Sequence, residues 1–167
     1  LRGLGFVMGR MKTGTPPRVR SNSIDRSIML ASPGDPRPTA FSFRTRGRPF
    51  PLLPQGLCWL TYTTEETHDL IRRSLGRSPL YSGEIVGRGP RYCPSIEDKV
   101  VRFPERERHQ IFVEPEGLDT DWIYLNGLSM SFPPELQEAI VRTLPGLSEA
   151  AVLRPAYAVE YDMVQPD

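Results

Sequence analysis

Runs of apolar, aromatic and β-branched residues alternate in this chain with glycine- and proline-rich breaks, and two segments space their apolar positions three and four apart. That second spacing is helical. It appears in EETHDLIRRSL (65–75), where Leu70, Ile71 and Leu75 share a face, Thr63-x-x-Glu66 has the form of a capping box and Gly76 ends the element. It recurs in PPELQEAIVRTL (133–144), with proline in the first turn and Leu136, Ile140, Val141 and Leu144 as the expected buried stripe. LCWLTYTT (57–64), KVVRF (99–103), HQIFVEPEG (109–117) and DWIYLNGLSMSF (121–132) read as strands, the last two joined by a turn at Gly117–Leu118–Asp119–Thr120. AAVLRPAYAVEYD (150–162) reads as a closing strand interrupted by Pro155. Residues 1–11 read as a helix end, a turn at Gly5 and a short strand from Phe6 to Met11; KTGTPPR (12–18) reads as a loop. Residues 19–56 read as extended, loop-rich chain with one short strand at TAFSF (39–43). Strands and helices follow no strict βα alternation. The expected class is α+β, a mixed or antiparallel sheet with a few short helices and long Pro-rich loops.

Composition narrows this. A chain of 167 residues buries roughly 68–70% of its unfolded surface, enough for a core without staples. The apolar share is 38% and the charged share 25%, as in a globular protein, while 18 prolines and 14 glycines account for the expected loops. No apolar run approaches the ~20 residues of a membrane span, and the start carries no signal-peptide pattern, so a cytoplasmic location is expected. Net charge is +1, which does not announce a nucleic-acid binder, but two of the 21 basic residues are lysine, Lys12 and Lys99, and the rest are arginine. Arginine is the better bidentate phosphate ligand. The two cysteines, Cys58 and Cys93, lie in no CxxC or His/Cys cluster, which argues against a zinc site and a structural disulfide. The opening LRGLGF resembles the end of an element, so a piece of a longer protein is expected.

The candidate chemistry centres on GPRYCPSIEDK (89–99). Pro94 suits the first turn of a helix and Ser95-x-x-Asp98 has capping-box form. Cys93 would then lie at the positive end of a short helix, with Arg91 and Lys99 near in sequence. Both features lower a thiol pKa and favour a nucleophilic thiolate. The same helix start could hold a phosphate. Against this, a lone cysteine is commonly a small buried apolar residue, and Glu97 and Asp98 oppose a thiolate if they lie close. Cys58, inside an apolar strand, is expected in the core. KTGTPPR offers Lys12 and Arg18 to phosphate but lacks P-loop spacing. His68 is expected to be a solvated helix residue. His109 could act as a base but has no partner in sequence. Glu114 and Glu116 are either an acid/base pair or a turn entrance. No GxGxxG follows a strand.

GPRYCPSIEDKVVRF resembles a signature of the glucose-inhibited division protein A (MnmG/GidA) family of tRNA-modifying flavoenzymes. GRMKTGTPPR, TYTTEETHDLIR, RSPLYSG, HQIFVEPEGLDT, IYLNGLSMSFPPELQ and RPAYAVEYD follow in that family's order and spacing, weakest over residues 20–56. The resemblance implies FAD and NAD(H) as cofactors and methylenetetrahydrofolate as one-carbon donor. It implies addition of a carboxymethylaminomethyl or aminomethyl group to C5 of the wobble uridine of tRNA. The implied partners are tRNA, an MnmE-type GTPase and a second copy in a homodimer. It implies Cys93 as catalytic, one of two important cysteines. NAD(H) contact would fall on Gly89, Pro90, Arg91, Tyr92, Cys93, Pro94, Ser95, Ile96, Glu97, Asp98, Lys99, Val100, Val101, Arg102 and Phe103. Lys12, Arg18, Arg91 and Lys99 would touch RNA. The family's glycine-rich FAD fingerprint, second cysteine and GTPase-binding region are not in these residues, and Cys58 does not match the second cysteine. The implied organisation is the edge of an FAD-binding domain with a connecting loop (1–18), an NAD-binding-like insertion domain (19–150) and a return strand (151–167). Ala156 stands where the family usually has glycine. The alternative is a non-catalytic RNA- or nucleotide-binding module in which Cys93 is structural and affinity falls steeply with salt.

Overall fold

The computed structural model of the chain describes residues 1–85, 87–89 and 93–166. Two antiparallel sheets organise it. A two-stranded ribbon pairs β1 (Met8–Gly14) with β8 (Ala158–Val164), in register from Met8 opposite Val164 to Gly14 opposite Ala158. A six-stranded sheet is built from β2 (Arg18–Arg20), β3 (Leu30–Ser32), β4 (Cys58–Tyr62), β5 (Gln110–Pro115), β6 (Trp122–Asn126) and β7 (Val152–Arg154). Its order is β3-β4-β5-β6-β2-β7, with every pair antiparallel. This is the α+β class, with antiparallel sheets.

Alternation along β5 and β6 sets the core face. Ile111, Val113, Ile123 and Leu125 are buried, while Phe112, Tyr124 and Trp122 between them are partly exposed. Helices α1 (Glu65–Ser74), α3 (Ile96–Arg102) and α4 (Pro134–Arg142) supply Ile71, Ile96, Val100, Leu136, Ile140 and Val141 to the same core; α2 (Pro79–Ser82) is a single turn. The expected stripe of α4 is buried throughout, with Leu144 at 1% exposure just past the helix. Of the expected α1 stripe only Ile71 is fully buried, and Leu70 and Leu75 pack at the margin of the core.

Three local expectations shift. The α1 cap is Thr64 with Thr67, one residue later than the Thr63-x-x-Glu66 spacing suggested, because Thr63 faces inward to bond His68 and His109. TAFSF is not a strand: Phe41 stands fully exposed, Phe43–Thr45 forms a 3-10 turn, and among the described residues no strand pairs with it. The edge strand at Leu30–Ser32 and the short β2 are the elements missed in that region. KVVRF lies within α3 and just after it rather than in a strand. Its two valines split between the core (Val100, 1% exposed) and solvent (Val101, 41%), and a capping box fixes the helix start. Ala156 is accommodated without left-handed backbone; Gln137 clamps its main chain by accepting from its N–H at 2.6 Å and donating to its carbonyl at 3.0 Å.

Candidate functional site

Cys93 is exposed and lies on the wall of a cavity of about 700 Å³. A volume of this size is ordinary for a small-molecule site. The wall is drawn from β1 (Lys12, Thr13, Gly14), from Gly87, Arg88 and Gly89, from Leu80 of α2, from Cys93 to Ser95, from Asp98 and Arg102 of α3, and from Ser129 to Ser131. Arg88 is held there by backbone: its carbonyl accepts from the Lys12 N–H at 2.9 Å. Among the described residues, Lys12, Arg88 and Arg102 are the cations around the opening and Asp98 is the anion, 3.6 Å from Arg102. The reading of Cys93 as a small buried residue does not fit this exposure.

The start of α3 departs from the expected anion site. Ser95 is its N-cap, accepting from the Asp98 N–H at 3.2 Å, while Asp98 Oδ2 accepts from the Ser95 N–H at 3.3 Å. The capping box therefore forms as the spacing indicates, but Pro94 precedes the cap instead of opening the first turn. The Ile96 N–H donates to the Ser129 carbonyl at 2.8 Å and the Lys99 N–H to the Ser95 carbonyl at 3.0 Å. With the Ser95, Ile96 and Asp98 N–H groups engaged inside the protein, an anion in the cavity would meet chiefly side-chain cations.

The stretch expected to contact NAD(H) divides by burial. Gly89, Cys93, Pro94, Ser95, Asp98 and Arg102 line the cavity. Ile96, Glu97 and Val100 are turned into the core, while Val101 and Phe103 are exposed without lining it. Pro90, Arg91 and Tyr92 lie outside the described residues. Lys99 reaches away from the Cys93 cavity: its Nζ donates to the Gly127 carbonyl at 2.8 Å. Burial pushes the ammonium down from its ordinary value, and a thiolate at Cys93 opposes that. Arg18 is also engaged, with its guanidinium on Glu116 at 3.2 Å, on the Pro16 carbonyl at 3.0 Å and over the Tyr124 ring. Of the residues expected to touch RNA, Lys12 alone among those described lines the Cys93 cavity.

A second cavity of about 710 Å³ lies on the other side of Pro94, lined by Tyr62, Lys99, Phe103, Arg106, Arg108 and His109 among others. Here the sequence expectation for His68 fails. It is 3% exposed and its Nε2 shares a 2.7 Å hydrogen bond with the Thr63 hydroxyl, because α1 presents it to the sheet and not to solvent. Its ring centroid is 5.3 Å from that of His109. Burial, then Arg72, lowers the His68 pKa; burial, then His68, lowers that of His109 to about 4. His68 is therefore a buried ring packed against His109, not a solvated helix residue. Glu114 and Glu116 do not converge: Glu114 accepts from Asn126 at 3.1 Å and Glu116 from Arg18. Cys58 is partly buried, its thiol pKa raised by burial and then by Glu114. Among the described residues no group of three or more His, Cys, Asp and Glu side chains is placed to hold a metal. Sequence reasoning missed Arg88 and Ser129–Ser131 as cavity residues, since only the β1 crossing and the 127–132 loop bring them beside Cys93.

Comparison with known proteins bears on this geometry. The tRNA uridine 5-carboxymethylaminomethyl modification enzyme MnmG of Lactiplantibacillus plantarum is 54% identical over 167 residues, covering 99% of this chain and 26% of that protein. The enzyme of the same name from Bacillus mycoides is 55% identical over 166 residues, again covering 99% and 26%. The crystal structure of Aquifex aeolicus GidA superposes with a TM-score of 0.85 at 54% identity, over 98% of this chain and 28% of that one. The chain thus spans about a quarter of the length of these relatives. The family model described as glucose inhibited division protein A matches residues 1–167, and with these identities the chain belongs to that family.

Proposed function

We propose that this chain is part of a tRNA-modifying enzyme that builds a carboxymethylaminomethyl or aminomethyl group on C5 of the wobble uridine. The observation that carries the proposal is the exposed Cys93 thiol on a cation-rimmed cavity, in a chain whose relatives are named for this modification. The thiolate of Cys93 adds to C6 of the uracil ring, and the C5–C6 π electrons move onto the O4 enolate. C5 then carries the nucleophilic character that a one-carbon electrophile requires. Loss of the C5 proton and expulsion of the thiolate restore the ring. Lys12, Arg88 and Arg102 hold the nucleotide phosphates, and the walls at Leu80 and Met130 exclude water.

Methylenetetrahydrofolate is the proposed carbon donor and an MnmE-type GTPase the partner. FAD, held mainly by parts of the enzyme beyond these residues, and NAD(H) supply the redox equivalents. Gly89, Asp98 and Arg102, which face the cavity, are the residues proposed to meet NAD(H). Residues 19–150 are proposed as an insertion domain within an FAD-binding domain. The separation of the β1–β8 ribbon from the larger sheet supports this. Pairing of β2 and β7 within the larger sheet supports counting Arg18 and Val152–Arg154 with that proposed unit.

The test is Cys93→Ser in the full-length enzyme, with modified uridine quantified by mass spectrometry of tRNA. Loss of the modification with tRNA binding retained is expected. Wild-type levels would return Cys93 to a structural role within a binding module.

A further inference from the structure

Among the described residues Glu97 is the only carboxylate that is fully buried, and it stands four positions after Cys93. Its Oε1 accepts from the Ser131 N–H at 3.0 Å, from the Ser78 hydroxyl at 3.2 Å and from the Ser131 hydroxyl at 3.5 Å. The two hydroxyls also touch each other, at 3.1 Å. Oε2 is buried with no partner, and among the described residues no lysine, arginine or histidine pairs with the group. These contacts reach three walls of the cavity that holds Cys93. Glu97 is on α3; Ser131 lines the cavity directly; Ser78 precedes α2, whose Leu80 lines it. The 127–132 loop is stitched to α3 at three alternate residues: the Gly127 carbonyl by Lys99 Nζ, the Ser129 carbonyl by the Ile96 N–H, and the Ser131 N–H by Glu97. Only the Glu97 stitch also takes in α2.

We propose that Glu97 is a positioning residue for the Cys93 cavity, an uncharged internal latch that fixes the 127–132 loop and the start of α2 against α3. This rests on the reading that Cys93 does chemistry in that cavity. Charge argues for the neutral form. An ionised carboxylate with one oxygen lacking a hydrogen-bond partner and, among the described residues, no ion-pair partner is costly to bury, and a proton removes most of that cost. The direction of its titration agrees: burial raises the Glu97 pKa against the lowering effect of its hydrogen bonds.

The test compares Glu97→Gln with Glu97→Met in the full-length enzyme. Glutamine keeps a neutral acceptor, so turnover and the pH profile of Cys93 alkylation stay within about threefold of wild type. Methionine fills the space without an acceptor; kcat for tRNA modification falls at least about tenfold while KM for tRNA stays within about twofold. If the Met variant does not fold, the double change Ser78→Ala and Ser131→Ala removes the two hydroxyl donors, and a fall of about threefold in kcat is expected. Wild-type kcat in the Met variant or in the double variant overturns the proposal, and so does a Gln variant as impaired as the Met one. An infrared difference spectrum of wild type against Glu97→Gln at neutral pH reads the proton directly: a protonated carboxyl carbonyl band supports the neutral latch and its absence overturns it. Should Cys93→Ser leave modification intact, the catalytic reading fails by itself; the alkylation rates of the Glu97 variants still report whether the cavity wall has moved.

Discussion

The imidazole of His109 is held at a pKa of about 4, first by burial and then by His68, Lys99 and Arg106. In the unfolded chain it titrates near 6.5. A depressed folded value means that the neutral ring favours folding above about pH 6.5 and that this contribution is lost as pH falls towards 4. Urea midpoints measured across that window should fall with acid, modestly because solvent screens a group this exposed. In His109→Gln the fall should be shallower, and an unchanged slope would show that other groups carry it. Glu97 has the opposite sign. Its folded pKa is raised above 4.5, so its contribution is complete below that pH and is lost as pH rises. Glu97→Gln should therefore raise the urea midpoint at neutral and alkaline pH and leave it little changed in acid. Sequence supplied the identity of Cys93, but not its exposure, and placed His68 in solvent. A single-residue environment is made largely by neighbours distant in the chain, here His109 for His68, and local pattern does not carry it.

At the scale of elements, α3 is the instructive case. Two adjacent valines and a phenylalanine in KVVRF have strand propensity, yet Ser95 and Asp98 close a reciprocal cap and the 127–132 loop takes the free N–H of Ile96. The capping box was legible from its spacing; that it would override the valines depended on Ile96 and Val100 finding the core. Ser95→Ala should cost about 1 kcal/mol in chemical denaturation, and it should also disturb Cys93, two residues upstream of the cap. Gly127 opens the 127–132 loop. Its φ is +99°, and a Cβ there would stand 2.7 Å from the Gln110 carbonyl oxygen. Gly127→Ala should destabilise by more than about 1 kcal/mol, and a neutral result would mean that the β5–β6 end can open without loss.

For the whole molecule, the sheet order β3-β4-β5-β6-β2-β7 joins strands 100 or more residues apart, with Val19 placed opposite both Ile123 and Val152. The helices close over that sheet through Ile71, Ile96, Ile140 and Val141, all fully buried or nearly so. Ile140→Ala should cost about 2–5 kcal/mol, read as a shift in the denaturation midpoint at unchanged slope. No described helix is long and apolar enough to cross a membrane. By itself the sequence determined the two amphipathic helices, the β5–β6 hairpin, the capping box before α3 and, through its motifs, the family. Those features are written in residues a few positions apart, where propensity, spacing and turn chemistry act. Tertiary structure decided the strand order, the burial of His68 and Glu97, and the meeting of Lys12, Arg88, Cys93 and Ser131 around one cavity. Each of these depends on contacts between segments far apart in the chain, whose energies come from desolvation and packing in the assembled core, which no local window contains.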